Sequence, residues 1–141
     1  MKYIIMLTGS QAAYDAMNGK ASQGQPAWTE GDLTAMFEHM GALHNDISDS
    51  GELVDARGLA EPGQATFITA AADGSPVISA GPGGETEEML AGFTIVDVET
   101  PQRAYEIGAR FQRCPRPNGT VDAQPVIVQR IAEPDQAGYE V

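Results

Sequence analysis

The stretch VISAGPGGETEEMLAGFTIVDV, residues 77–98, decides how the rest of the chain folds. A short β-forming run enters a Gly-Pro loop, passes a compact acidic turn, and leaves as a longer strand. In that second strand, residues 92–98, Phe93, Ile95 and Asp97 occupy one face and Thr94, Val96 and Val98 the other, because successive strand side chains alternate. Working backwards, residues 65–72 form another strand, and Asp73-Gly74 turns it into residues 76–79 as a hairpin. Residues 52–59 form a short strand ending in Arg57-Gly58.

Residues 2–8 form a continuous apolar run, with Ile4 and Met6 on one side and Tyr3, Ile5 and Leu7 on the other. Apolar groups on both faces mark an interior strand. Ser10 can cap a short helix over residues 10–18, and residues 19–28 form a Gly/Ser/Gln/Pro loop anchored at its far end by Trp28. Residues 29–50 carry the strongest helix signal. Thr29 stands at the N-cap, Glu30 and Asp32 lie in the first turn, and Gly51 is the stop. Leu33, Met36, Phe37, Met40, Leu43 and Ile47 form its apolar stripe, with His44 on the stripe and His39 at its edge. Beyond the central stretch, Thr100 and Pro101 start a helix whose stripe is Ala104, Ile107, Gly108 and Phe111, and Pro115 stops it. A turn over residues 117–122 leads to a closing strand, 125–132.

This order of strands and helices predicts an α+β, ferredoxin-like subunit: an antiparallel sheet with two helices on one face. One domain spans residues 1–132, and a tail, 133–141, is expected to fray. Two helices cover one face of such a sheet, yet the first and last strands are apolar on both. A bare apolar sheet face is rare in a monomer, so a homodimer packed sheet to sheet is expected, giving a dimeric α/β barrel.

The 141 residues include twenty acidic and eight basic ones, for a net charge of −12. That field repels nucleic acid and anionic membrane surfaces. Its other consequence is plain solubility. The single cysteine, Cys114, rules out an intrachain disulfide and a thiolate metal cluster within the subunit. Flanking arginines in RCPRP can lower its pKa, but no His or second Cys lies near in sequence, and a bystander thiol is the simpler reading. The apolar run at the start is too short for a signal peptide, and no stretch reaches membrane-spanning length. The expected location is the cytoplasm.

The central stretch resembles the YCII-related superfamily, in its DGPF-domain branch. The frame here is Ala80-Gly81-Pro82-Gly83, then Glu85-Thr86, then Leu90-Ala91-Gly92-Phe93, and the opening MKYIIMLTG, Gly51-Glu52-Leu53-Val54 and the closing PVIVQRI also fit. The resemblance implies a bacterial, cytoplasmic, dimeric α/β barrel. Some relatives are small lyases or dehalogenating enzymes, and many accompany alternative sigma factors. Ala80 and Gly83 replace the Asp and Phe of the name motif, so a carboxylate and an aromatic lid are lost.

Several residues are candidates for chemistry. His44, facing the sheet, is either a general base oriented by Asp97 or Glu85, or a core histidine bonded to backbone. Asp97 on a strand needs a partner, which Arg57 or Arg130 can supply; the same arginines can instead hold a ligand carboxylate. Tyr3 and Met40 complete the expected substrate-binding set. The Gly81–Gly84 loop lacks the Lys-Ser/Thr of a phosphate loop, and Glu85, Glu87 and Glu88 suit the start of a short helix. His39 and His44 lack the spacing of a metal pair, so no metal and no cofactor are expected. Two functions follow. One is a cofactor-independent lyase or isomerase acting on a small anionic or aromatic substrate; the other is a non-catalytic ligand-binding or regulatory module associated with a sigma factor.

Overall fold

In the computed structural model, which describes residues 1–120 and 122–134, the elements run β1 (Lys2–Gly9), α1 (Gln11–Met17), α2 (Glu30–Asp49), β2 (Leu53–Gly58), β3 (Thr66–Ala70), β4 (Pro76–Ala80), β5 (Met89–Asp97), α3 (Pro101–Gln112) and β6 (Ile127–Arg130). Single 3₁₀ turns occupy Pro62–Gln64 and Pro117–Gly119. Four strands form one antiparallel sheet in the order β2-β5-β1-β6. β1 sits inside it, with Ile5 opposite Thr94 on one side and Val128 on the other. Helix α2 joins β1 to β2, and α3 joins β5 to β6. The result is an α+β chain compatible with the ferredoxin-like arrangement, extended by the short helix α1.

Both crossover helices lie on one face. Tyr3, Ile5, Val96 and Val98 of the sheet side pack with Leu43 and Ile47 of α2 and with Ala104, Ile107 and Phe111 of α3. Burying aliphatic side chains of this size stabilises by about 1.5–3 kcal/mol each, so this layer dominates the fold. Local chemistry fixes where the helices begin. Thr29 Oγ1 accepts from the Asp32 N–H at 3.1 Å while Asp32 Oδ2 accepts from the Thr29 N–H at 2.9 Å, a reciprocal box. Thr100 Oγ1 likewise accepts from the Arg103 N–H at 3.2 Å. Gly108 lets α3 approach β6 closely, since a Cβ there would lie 2.7 Å from Val128 Cγ2.

The opposite sheet face takes no part in that cluster. Ile4, Met6, Phe93 and Ile95 on it are half-buried, and Ile127 is exposed. The hairpin β3–β4 forms its own two-stranded sheet, on which Ile68 and Ile78 face each other across the strands, 70% and 71% exposed.

Three expectations change. Strand β5 begins at Met89, three residues earlier than the alternation indicates, because Thr8 and Gly9 pair with Leu90 and Met89 beyond a register shift. The closing strand shortens to Ile127–Arg130, since the β1 partners end there. No helix forms over residues 85–88, where 85–86 turn and 87–88 lead irregularly into β5, so their glutamates offset no helix dipole; four residues following two glycines cannot meet the cost of nucleation. Most of the tail, 135–141, lies outside the described residues.

Candidate functional site

Where β1 ends and β5 begins, the chain forms a half-open cavity of about 960 Å³. Its walls come from α1, the 19–28 loop, α2 around Met36–Met40, the end of α3, and residues 114–116, 120 and 122–126. Met17, Trp28, Met36, Phe37, Met40 and Phe111 make it mostly apolar. At its polar end stand Thr8, Glu88, Arg116 and Asp122.

Local structure places each of these groups. The register shift after Leu7 sets Leu90 opposite Thr8, a bulge-like irregularity of the kind that re-aims side chains at a strand end. Gly9 is required beside it: a Cβ would come within 3.2 Å of the Tyr14 ring and 3.4 Å of Ala91 Cβ. Tyr14 crosses that gap and places its hydroxyl against the carbonyls of Leu59 and Ala91, at 3.2 and 3.3 Å. The Trp28 N–H donates to the Ala16 carbonyl at 2.9 Å, tying the loop end to α1. Arg116 lies 5.9 Å from the Trp28 ring centre, a cation–π contact, and pairs with Asp122 at 3.4 Å.

Glu88 is the distinctive group. Burial first, then the nearby Asp122 carboxylate, push its pKa above the ordinary glutamate value. The Thr8 hydroxyl and the Arg116 charge oppose this without cancelling it. The Thr8 hydroxyl lies against the carboxyl, yet neither Thr8 Oγ1 nor Glu88 Oε2 completes a well-formed hydrogen bond. Arg116 Nε is buried without an acceptor in the same place. Unsatisfied polar atoms of this kind are few in a folded protein, and three at one cavity end is a concentration. Burial also pushes up the Cys114 thiol on the cavity wall, outweighing Arg116, which fits an inert thiol.

The residues named from the sequence are dispersed. Met40 lines the cavity; His44, Asp97, Glu85, Arg57, Arg130 and Tyr3 do not. His44 sits one turn beyond Met40, where its Nδ1–H donates to the Met40 carbonyl at 2.8 Å and its ring meets Phe111 edge-on at 5.7 Å. Its Nε2 lies 3.5 Å from Thr94 Oγ1. His39 donates from Nε2 to the Arg110 carbonyl at 2.7 Å. Asp97 pairs with the N-terminal ammonium at 3.1 Å, not with an arginine. Glu85 is exposed, and its carbonyl accepts from the Ala12 N–H at 2.9 Å. Arg57 is exposed and pairs with Asp55 at 3.4 Å, while Arg130 is exposed on β6 opposite Tyr3. Tyr3 is buried, and its ring lies edge-on to Tyr105 at 6.4 Å.

Gly81 is a packing position. A Cβ there would fall 3.1 Å from the Pro62 carbonyl oxygen, and its N–H donates to the Ala65 carbonyl at 2.7 Å. Sequence reasoning missed Thr8, Glu88, Arg116 and Asp122 as a set. The available signals were an acidic residue directly before a strand and an arginine between two prolines. Among the described residues, no group of three or more His, Cys, Asp or Glu could hold a metal ion. No described helix is long and apolar enough to cross a membrane. No protein-family model matches the chain, and no curated protein matches it.

Proposed function

We propose that this chain is a divergent DGPF/YCII-like small-molecule-binding protein whose end-of-sheet cavity carries out proton transfer of the cofactor-independent lyase or isomerase type. One observation carries the reading: a half-buried carboxyl of raised pKa, Glu88, stands at the polar end of a large, mostly apolar cavity. A carboxyl poised nearer neutrality is suited to accept and return a proton, and a pKa close to the working pH is what general acid–base chemistry favours. The role given to His44 by its place on the helix stripe passes to Glu88, because Glu88 lines the cavity and His44 does not. The Thr8 hydroxyl lies against the carboxyl. Arg116, held between Trp28 and Asp122, keeps the polar end from closing on itself. The apolar walls receive an aromatic or aliphatic body.

The kinship is supported by the Gly81-Pro82 frame and the sheet order, and the dimer by the half-buried apolar face of Ile4, Met6, Phe93 and Ile95. A second reading, a binding module without chemistry, is favoured by Ala80, which stands exposed where the motif has a carboxylate. Exchange of α-protons separates the two. In deuterium oxide, 4-phenylbutan-2-one, a neutral enolisable ketone with an aromatic body, should exchange above the buffer rate with the native protein. Glu88→Gln should lower that gain about tenfold or more, within the usual range for removing a general base, and His44→Gln should leave it unchanged. Equal rates for the native protein and Glu88→Gln would leave only the binding module.

A further inference from the structure

The sign of the ligand's charge can be taken from the same cavity, an inference that rests on the cavity being the ligand site. Among the described residues, three charged side chains line it: Glu88, Arg116 and Asp122. Arg116 pairs through Nη1 with Asp122 at 3.4 Å and lies 5.9 Å from the Trp28 ring centre, while its Nε is buried without an acceptor. Among the described residues Glu88 makes no close ion pair; the Thr8 hydroxyl lies against its carboxyl, and its Oε2 is buried without a well-formed hydrogen bond. An entering anion would share Arg116 with Asp122 while facing a second carboxylate. The arginines expected to anchor an anion do not line the cavity: Arg57 pairs with Asp55, and Arg130 lies exposed on β6. The net charge of −12 adds a long-range preference in the same direction, enriching cations near the surface.

We infer that the ligand is an amine: an apolar or aromatic body seated among Trp28, Phe37, Met40 and Phe111, with its ammonium group against Glu88. A cation there offsets the excess of carboxylates over arginine at this end of the cavity and relieves the repulsion between Glu88 and Asp122. Aromatic walls suit such a ligand, since ring faces attract cations as well as apolar bodies.

Three probes of one shape test this: 2-phenylethylamine, 2-phenylethanol and phenylacetate, which are cationic, neutral and anionic at neutral pH. Trp28 is the chain's one tryptophan and lines the cavity, so its emission reports occupancy beside calorimetry. The amine should bind at least tenfold more tightly than phenylacetate and clearly more tightly than the alcohol. Glu88→Gln should remove the amine's advantage while changing affinity for the alcohol less than twofold. Equal binding of amine and alcohol, or tighter binding of phenylacetate, would overturn the inference while leaving the cavity as a site. Failure of all three probes to perturb Trp28 or release heat would remove both. The native series alone decides the charge preference, so a misfolded Glu88→Gln variant would not rescue the proposal.

Discussion

Glu52 shows how a single side chain ties the helices to the sheet. It leaves α2 after Gly51 and receives two N–H donors from Arg103 of α3, each at 2.9 Å, and the Ser50 hydroxyl at 2.7 Å. Arg103 chiefly, with Ser50, holds its pKa below the ordinary glutamate value. A lowered carboxyl pKa contributes stability that is present above the unfolded-state value and lost as pH falls through the folded one. Arg103→Ala should therefore cost about 1 kcal/mol at neutral pH, the scale of a partly exposed bidentate pair. By urea titration the gap between variant and native protein should shrink below about pH 4; an equal gap at pH 7 and pH 3 would refute the assignment. At this scale, the sequence marked His44 as facing the core but could not say what its nitrogens meet. That depended on the Met40 carbonyl one turn earlier and on Phe111 from another helix. It also could not show that Asp97 answers to the N-terminal ammonium, a partner at the far end of the chain in sequence.

Elements governed by neighbouring residues were legible, and those governed by pairing were less so. Helix α2 runs Glu30–Asp49 between the Thr29 cap and Gly51. Gly51 takes a φ of +81°, which favours glycine at a helix end. Thr29→Ala removes one half of the capping box and should lower stability by about 1 kcal/mol, read as a shift in the denaturation midpoint; Thr29→Ser should restore most of it. No loss on Thr29→Ala would mean the helix start is held by packing alone. The hairpin was legible too, since Asp73 Oδ1 accepts from the Ser75 N–H at 3.0 Å and Gly74 takes a φ of +87°. The start of β5 was not. Its first residues look like loop until the irregular register with Thr8 and Gly9 is known, and that irregularity is what brings Glu88 to the cavity.

The whole molecule combines a topology visible in the order of its elements with a cavity that no single segment announces. The sheet order follows from two crossover helices and a hairpin. The cavity draws on α1, a loop, two longer helices and residues 114–116, 120 and 122–126, so Thr8, Glu88, Arg116 and Asp122 become neighbours only in the folded chain. The half-buried apolar face of Ile4, Met6, Phe93 and Ile95 predicts a particle near twice 14.9 kDa in sedimentation, with Phe93→Glu shifting it to the single-chain mass. A native particle of 14.9 kDa at working concentration would remove the dimer and leave the cavity intact. The proton-transfer reading stands or falls with Glu88, and its titration can be followed directly by the carboxyl-carbon NMR signal in the intact protein. The midpoint should lie above the ordinary glutamate value and fall on Asp122→Asn, which removes a neighbouring negative charge. A midpoint at or below the ordinary value, unmoved by Asp122→Asn, would contradict the account.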